Sequence, residues 1–117
     1  ALAAVDMALL DLLGRRANLP VWRLLGGFRD SMPTSITLGI MAPTEAAERA
    51  RALAAKGFGA IKLKGGRDLE QDVETVRRVR EAVGAGVELR FDANQGYSPA
   101  QALDFLAQVS AAKATGV

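Results

Sequence analysis

The sequence predicts an α/β fold with parallel strands. Short apolar strand patterns alternate with helical patterns at intervals of roughly 25 residues, which is typical of strand–helix–strand units with right-handed crossovers. Apolar residues make up 50% of the chain and aromatic residues only 5%, which favours closely packed helices over an all-β sandwich. Three such units begin either a doubly wound sheet or a (β/α)8 barrel, and 117 residues is about three-eighths of such a barrel.

Two helices are predicted ahead of the first strand. The first has Gly14 in the position of a C-terminal cap and apolar residues at helical spacing, namely Leu2, Val5, Leu9 and Leu12. A short second helix is predicted from Pro20 to Leu25, ended by Gly26 and Gly27. Because no N-cap residue precedes the first helix, we expect the chain to be an interior part of a longer protein.

The first two strands are predicted on either side of an alanine-rich helix. A strand is predicted over residues 34–40, Thr-Ser-Ile-Thr-Leu-Gly-Ile. Thr44 is then placed to cap a helix that ends at Gly57 and buries one face, formed by Ala47, Ala50 and Ala54. The second strand is predicted over Ala60–Lys64 and is followed at once by Gly65-Gly66.

The third unit has the clearest boundary signals. Asp68 is predicted to cap a helix with one apolar stripe, formed by Leu69, Val73, Val76, Val79 and Val83. The third strand is predicted over Val87–Phe91. Ser98, with Pro99 next and Gln101 at the third helical position, is typical of a helix start. The predicted buried face of that helix consists of Phe105, Leu106 and Val109, and residues 115–117 resemble the start of a fourth strand.

Charge and composition exclude several classes of function. The net charge is +2, from 15 basic and 13 acidic residues, and the sequence contains no run of five like charges. Because a nucleic-acid surface needs clustered basic residues, we do not expect the protein to bind nucleic acid. No stretch approaches the ~18 apolar residues of a membrane span and no signal peptide is evident, so we expect a cytoplasmic protein without a membrane partner. With no cysteine or histidine, a metal would need oxygen ligands, which favours Mg²⁺.

Two lysines near the end of the second predicted strand are candidates for acid/base chemistry. Strand alternation directs Ile61 and Leu63 toward a helix layer, and sends Lys62 and Lys64 to the opposite, interior face. Each ammonium disfavours the charge of the other and lowers its pKa, as a lysine general base requires. Lysines on an edge strand often have no function and simply extend their ammonium groups into solvent. Here the glycines that follow mark the carboxyl end of a strand, where α/β enzymes carry their chemistry.

A second candidate cluster ends the third strand. Arg90, Asp92 and Asn94 share one face under the same alternation. Asp92 offers a hard carboxylate ligand, and Asn94 an amide that can orient that ligand or a substrate. The same residues, with Gly96, also fit a simple Asp/Asn turn into the next helix. Thr37 lies on the first strand, where threonine is common because of its β-propensity alone.

These motifs together resemble the enolase superfamily, in its muconate-lactonizing branch. The resemblance rests on Lys-Leu-Lys at 62–64 and Arg-Phe-Asp-Ala-Asn-Gln-Gly-Tyr at 90–97, and extends to the helical residues 1–14 and 19–27. Residues 34–40 most resemble dipeptide epimerases of the L-Ala-D/L-Glu kind. The resemblance implies a TIM-type (β/α)8 barrel, with residues 1–30 as its helical lead-in and residues 31–117 as the first three βα units of an incomplete barrel domain.

The resemblance also implies roles for five residues. Lys64 would be one of two opposed acid/base groups that remove and return the proton α to a carboxylate. Lys62 would tune its pKa and help to hold the substrate carboxylate. Asp92 would be the first of three carboxylate ligands to Mg²⁺, while Thr37 and Asn94 fall at a substrate contact and a supporting polar position. The implied partner is a small-molecule carboxylate such as a dipeptide, and the full-length form is expected to be a homo-oligomer.

Several alternatives stay open. The remaining metal ligands and the opposing lysine of the family fall on later strands, so we expect this chain alone to be inactive. Within the superfamily, a muconate cycloisomerase, an N-acylamino acid racemase or an o-succinylbenzoate synthase shares the same motifs. A non-catalytic fragment that self-associates through its open sheet edges is a second class. A flavodoxin-like phosphate-binding module at Gly65-Gly66 is a third, although Asp68 and Glu70 oppose a phosphate there.

Overall fold

A computed structural model describes residues 1–111 of the chain, so the predicted fourth strand at 115–117 lies outside the described residues. The chain divides into two compact units, Ala1–Met32 and a βα unit that begins at Pro33. The elements follow the predicted alternation. In chain order they are α1 (Leu2–Ala17), α2 (Val21–Leu24), β1 (Ile36–Leu38), α3 (Pro43–Ala55), β2 (Ala60–Lys64), α4 (Leu69–Val83), β3 (Glu88–Asp92) and α5 (Pro99–Ala111).

In the first unit, the prediction that Gly14 ends the first helix is wrong. Helix α1 continues to Ala17 and ends at Asn18, whose φ of 52° is the left-handed conformation that asparagine tolerates at a helix end. Gly14 is instead buried within the helix. A Cβ there would lie 2.8 Å from the carbonyl oxygen of Leu19, whose N–H donates to the Gly14 carbonyl at 2.9 Å. Glycine therefore lets the chain fold back against its own helix.

The three strands form a parallel sheet in the order β1-β2-β3. Strand β2 has the predicted bounds. Strand β1 is shorter than the predicted 34–40, since it pairs on one side only and its paired residues end at Leu38. Strand β3 runs one residue later than predicted, over Glu88–Asp92, because its register follows β2 from Ala60↔Glu88 to Lys64↔Asp92. This register sets the candidate residues side by side.

One hydrophobic core joins the strands to α3, α4 and α5. Ile61 and Leu63 are 0% and 1% exposed, as the alternation of β2 predicts, and Val79 of α4 is fully buried against the same core. The buried alanines of α3 are Ala46 and Ala50 rather than the predicted trio of 47, 50 and 54. On α5, Phe105 and Val109 are buried as predicted, whereas Leu106 is 50% exposed, so its predicted burial is wrong.

The helix starts show which local signals are reliable. Asp68 caps α4 as predicted, accepting the N–H of Gln71 at 3.0 Å. Before α5, Ser98 and Gln101 form a reciprocal capping box, with distances of 3.0 and 3.3 Å. The predicted Thr44 cap of α3 is wrong. The N-cap position is occupied by Ala42, two residues earlier, and the helix begins at Pro43, whose fixed φ suits the first helical position.

Candidate active site at the ends of β2 and β3

Lys62 and Lys64 lie on the sheet face opposite the helices. They alternate along β2 with the buried Ile61 and Leu63, and their own side chains remain 35% and 31% exposed. This half-buried position agrees with the alternation read from the sequence. Solvent can reach the two ammonium groups, and so can a small molecule placed over this face.

Both lysines converge on one carboxylate oxygen. The Nζ atoms of Lys62 and Lys64 lie 2.6 and 2.8 Å from Oδ2 of Asp92. Lys64 also donates to Oδ1 of Asn94 at 3.1 Å. The parallel register makes this possible, because Lys64 and Asp92 are direct partners in the last pair of β2 and β3. The structure therefore brings together four of the five predicted site residues.

The electrostatics of the cluster keep Asp92 ionised. Hydrogen bonds from Lys62 and then Lys64 hold the pKa of this carboxyl well below its usual range, and the backbone N–H of Asn94 adds to the effect. That N–H donates to Oδ1 of Asp92 at 2.9 Å, and Asn94 has a φ of 53°. The Asp/Asn turn considered as an alternative is thus present, and it orients the candidate ligand.

Thr37, the fifth predicted residue, lies one strand away. It is the register partner of Lys62, so the two side chains point to the same face of the sheet. Thr37 is exposed on strand β1. Arg90 is the register partner of Lys62 and so lies on the same face as Asp92, as the sequence predicts. Its exposed side chain pairs with Glu88 at 2.7 Å.

A buried carboxylate beneath the site was missed by the sequence analysis. Asp72, in the first turn of α4, is only 6% exposed. Its Oδ2 accepts the N–H of Gly66 at 2.7 Å and the hydroxyl of Tyr97 at 2.5 Å. Burial, and then the hydrogen bond to Asp72, raises the pKa of Tyr97. A signal did exist, since Asp72 stands at a position of the apolar stripe, four residues before Val76.

The loops after β2 and β3 contact each other through backbone atoms. A Cβ on Gly66 would lie 2.3 Å from the carbonyl oxygen of Ala93, and one on Gly96 would lie 2.0 Å from that of Gly66. The N–H of Gly65 donates to the carbonyl of Asp92 at 3.1 Å. Because the glycines leave no side chains between the loops, the two strand ends are held at one spacing.

The cluster fits part of a magnesium site. Mg²⁺ prefers oxygen ligands, and Asp92 supplies one carboxylate. The amide oxygen of Asn94 accepts a hydrogen bond from Lys64. Across residues 1–111, no group of three or more His, Cys, Asp or Glu side chains comes together to bind a metal. The described residues therefore provide the type of ligand that suits Mg²⁺, but only one carboxylate of the site.

Comparison with known proteins agrees with this arrangement. Residues 45–115 match the family described as enolase C-terminal domain-like, and residues 1–26 match the mandelate racemase/muconate lactonizing enzyme N-terminal domain. The hydrophobic dipeptide epimerase of Enterococcus faecalis is 44% identical over 101 residues, which are 86% of this chain and 28% of that protein. The L-Ala-D/L-Glu epimerase of Clostridium acetobutylicum is 39% identical over 107 residues, covering 92% of this chain and 30% of that protein.

A solved structure gives the same result. The crystal structure of the E. faecalis dipeptide epimerase with Mg and the dipeptide L-Leu-L-Tyr superposes with a TM-score of 0.89 and 40% identity, over 92% of this chain and 30% of that one. The chain thus spans about 30% of the length of these relatives. The predicted partial (β/α)8 barrel and the predicted resemblance to dipeptide epimerases are confirmed. The chain belongs to the mandelate racemase/muconate lactonizing enzyme family of the enolase superfamily.

Proposed function

We propose that this chain carries part of the active site of a Mg²⁺-dependent epimerase that moves the proton α to a carboxylate. The observation that carries the proposal is the convergence of Lys62 and Lys64 on Asp92, at 2.6 and 2.8 Å, at the carboxyl ends of neighbouring strands. The proposed substrate is a dipeptide of the L-Ala-D/L-Glu type, since similar proteins from Clostridium acetobutylicum and Bacillus subtilis are named L-Ala-D/L-Glu epimerases. Another similar protein is named for hydrophobic dipeptides.

Lys64 is the proposed acid/base group. Its Nζ is held from two sides, by Asp92 and by Asn94, so its position over the sheet face is restricted. In the proposed step, Nζ of Lys64 takes the proton from the substrate Cα and can return it to the same side of the substrate. Epimerisation also needs a second acid/base group on the other side of the substrate. We propose that this group belongs to a part of the full-length protein outside these 117 residues.

Lys62 and Asp92 are proposed to prepare the substrate for this step. Lys62 places a second positive charge on the same face, where it can pair with the substrate carboxylate. Asp92 stays ionised because both lysines lower its pKa, and an ionised carboxylate is the form that binds a metal. The chemistry that bound Mg²⁺ supplies is electrostatic stabilisation of the negative charge that develops on the substrate carboxylate.

Two further residues complete the proposed substrate site. Thr37 points to the same face as Lys62 from the neighbouring strand, so it can contact the part of a dipeptide that lies over β1. The amide of Asn94 accepts a hydrogen bond from Lys64 and supports the base. The division into a lead-in at residues 1–30 and barrel units at residues 31–117 is part of the same proposal.

The proposal applies to the full-length protein. One carboxylate is too few ligands to retain Mg²⁺, so we expect the 117-residue chain to lack activity by itself. We propose that the full-length form is a cytoplasmic homo-oligomer that acts on a small molecule and binds neither nucleic acid nor membrane. No helix formed by residues 1–111 combines the length and hydropathy needed to cross a bilayer.

Other reactions of the superfamily use the same proposed residues. A muconate cycloisomerase, an N-acylamino acid racemase or an o-succinylbenzoate synthase would also need a lysine, a cation and a metal-bound carboxylate. The similar proteins include an N-succinyl-L-Arg/Lys racemase and a muconate lactonizing enzyme. A dipeptide epimerase is favoured because several others, at up to 44% identity, are named as epimerases of dipeptides. A self-associating, non-catalytic fragment would instead show concentration-dependent assembly through its sheet edges and no proton exchange.

Proton exchange at Cα tests the proposed function. The full-length enzyme is incubated in D₂O with Mg²⁺ and either L-Ala-L-Glu or L-Ala-D-Glu, and the signal of the glutamate α-proton is followed by NMR. We expect loss of this signal together with appearance of the other epimer, and no loss when the metal is chelated. The absence of exchange for dipeptides and for N-acylamino acids, with a folded and metal-loaded enzyme, would contradict the proposal.

A further inference from the structure

The buried carboxylate of Asp72 connects the two loops that carry the candidate site. Its Oδ2 accepts two hydrogen bonds. One comes from the N–H of Gly66, two residues after Lys64, and the other from the hydroxyl of Tyr97, five residues after Asp92. These donors come from different loops, one after β2 and one after β3. Asp72 itself belongs to α4 and is placed on the helix side of the loops, where it is 6% exposed.

Capping of the helix does not account for Asp72. Helix α4 already has an N-cap in Asp68, which accepts the N–H of Gln71. An apolar residue at position 72 would extend the stripe that includes Val76 and Val79. A carboxylate taken out of water is costly unless it is hydrogen-bonded. Both side-chain hydrogen bonds of Asp72 come from donors in the two loops. Holding these loops therefore explains why an acidic residue occupies this buried position.

The contacts around Asp72 leave the loops little freedom to adjust separately. Gly66 lies so close to Ala93 that neither loop can shift toward the other, and Gly96 lies against Gly66 in the same way. On the β3 side, the Tyr97 ring packs on Phe105 with centroids 5.7 Å apart. A displacement of either loop therefore changes the distance between the two strand ends.

We propose that Asp72 is a positioning residue, which sets the spacing of Lys64 and Asp92 by holding Gly66 and Tyr97 together. The proposal rests on the acid/base role proposed above for Lys64. The side-chain hydrogen bonds of Asp72 go to Gly66 and Tyr97 and not to Lys64. Asp72 acts through the loop that begins directly after Lys64 and through the loop that begins directly after Asp92.

Two variants of the full-length enzyme separate the hydrogen bonds from the packing. Asp72→Asn keeps the shape of the side chain and removes its charge, which weakens its contacts with both loops. Tyr97→Phe leaves Asp72 in place and removes only the hydroxyl, while the ring still packs on Phe105. The matched control is Asp104→Asn, an exposed carboxylate on α5 whose amide neighbour Gln108 lies one helical turn away.

The expected effect falls on kcat rather than on KM. A misplacement of a catalytic group by about 1 Å can cost about 100-fold in rate, so we expect Asp72→Asn to lower kcat about 10- to 100-fold. KM should change less than about threefold, because substrate charge is still neutralised by Lys62. Tyr97→Phe should give a smaller loss in the same direction. The double variant should lose less than the product of the two single losses, since both act on one contact.

Exchange from each epimer separately distinguishes positioning from a general loss of structure. Partial unfolding or weaker metal binding slows exchange from both epimers equally. Displacement of Lys64 adds a loss only for the epimer whose α-proton Lys64 removes, which Lys64→Ala identifies. We therefore expect Asp72→Asn and Tyr97→Phe to slow that epimer at least about fivefold more than the other, and Asp104→Asn to leave both rates unchanged.

Each result has a defined meaning. Equal slowing of both epimers in Asp72→Asn and Tyr97→Phe, or no slowing, would overturn the positioning role while Lys64→Ala remained selective. If Lys64→Ala itself showed no selectivity for one epimer, the proposed function of Lys64 would be wrong and the role of Asp72 would be wrong with it. Tyr97→Phe decides the matter if Asp72→Asn does not fold, because it keeps the buried carboxylate and the ring packing.

Discussion

Lys64 and Asp92 are 28 positions apart in the chain, yet their side chains form an ion pair of 2.8 Å at the last register pair of β2 and β3. The parallel sheet creates this contact, because the carboxyl ends of adjacent parallel strands lie at the same edge. The half-buried position of both side chains, 31% and 26% exposed, leaves the pair accessible to a small molecule.

Replacement of the candidate metal ligand should weaken magnesium binding. In the full-length enzyme, Asp92→Asn removes the negative charge that Mg²⁺ needs and leaves Lys62 and Lys64 without their shared carboxylate. We expect the Mg²⁺ affinity to fall at least ~10-fold, since even residues that only orient a ligand contribute about that much. Isothermal titration calorimetry with the metal alone measures the effect. An affinity equal to that of Asp104→Asn would show that Asp92 is not a ligand.

A methyl group between the two loops should disrupt the site. Gly66 has a φ of 97°, and a Cβ there would lie 2.3 Å from the Ala93 carbonyl oxygen. We expect Gly66→Ala to cost about 1–3 kcal/mol from backbone strain and about 1–3 kcal/mol more from overpacking. Urea unfolding gives the loss of stability.

The control for Gly66→Ala is another glycine substitution. Gly59 precedes β2, and a Cβ there meets nothing within 4 Å, so Gly59→Ala should change the free energy of unfolding by less than about 1 kcal/mol. A Gly66→Ala variant as stable as Gly59→Ala would mean that the loops do not pack as closely as described.

The ion pairs on α4 predict a specific dependence of stability on pH. Hydrogen bonds from Arg77, and then Arg78, lower the pKa of Glu74 from 4.5 to about 2. A carboxyl with a lowered pKa stabilises the folded state above its unfolded pKa, and this contribution is lost as the pH falls from about 4.5 toward about 2. Glu74→Gln should therefore be less stable than the parent at pH 7, with the difference vanishing near pH 2.

Urea unfolding of both proteins across this pH range checks the sign. A salt series adds a second check, because exposed ion pairs contribute less at high ionic strength, so added salt should reduce the difference at pH 7. A stability difference that stays constant between pH 7 and pH 2 would show that the charge of Glu74 does not contribute.

The sequence was sufficient where a local signal determines the structure. The alternation of Ile61, Lys62, Leu63 and Lys64 depends on strand geometry alone, and the structure has the predicted strand with the predicted faces. The Asp68 cap is equally local, since its acceptor and donor lie three residues apart. The fold class also followed from local patterns, because repeated strand–helix units allow few topologies.

The sequence did not predict features that depend on contacts between residues distant in the chain. Gly14 has the local features of a helix end, but its role is set by the close approach of Leu19. Asp72 and Tyr97 are 25 positions apart, and no local pattern indicates that they meet. The roles of Lys62, Lys64, Asp92, Thr37 and Asn94, and the domain division at residue 30, remain predictions.

Exchange catalysed by Lys64→Ala tests the central claim most directly. The full-length variant is loaded with Mg²⁺ in D₂O and supplied with L-Ala-L-Glu or L-Ala-D-Glu in separate reactions. If Lys64 is the acid/base group on one side of the substrate, α-proton exchange is lost for one epimer and persists for the other. Exchange from both epimers at the rates of the unaltered enzyme would contradict the account.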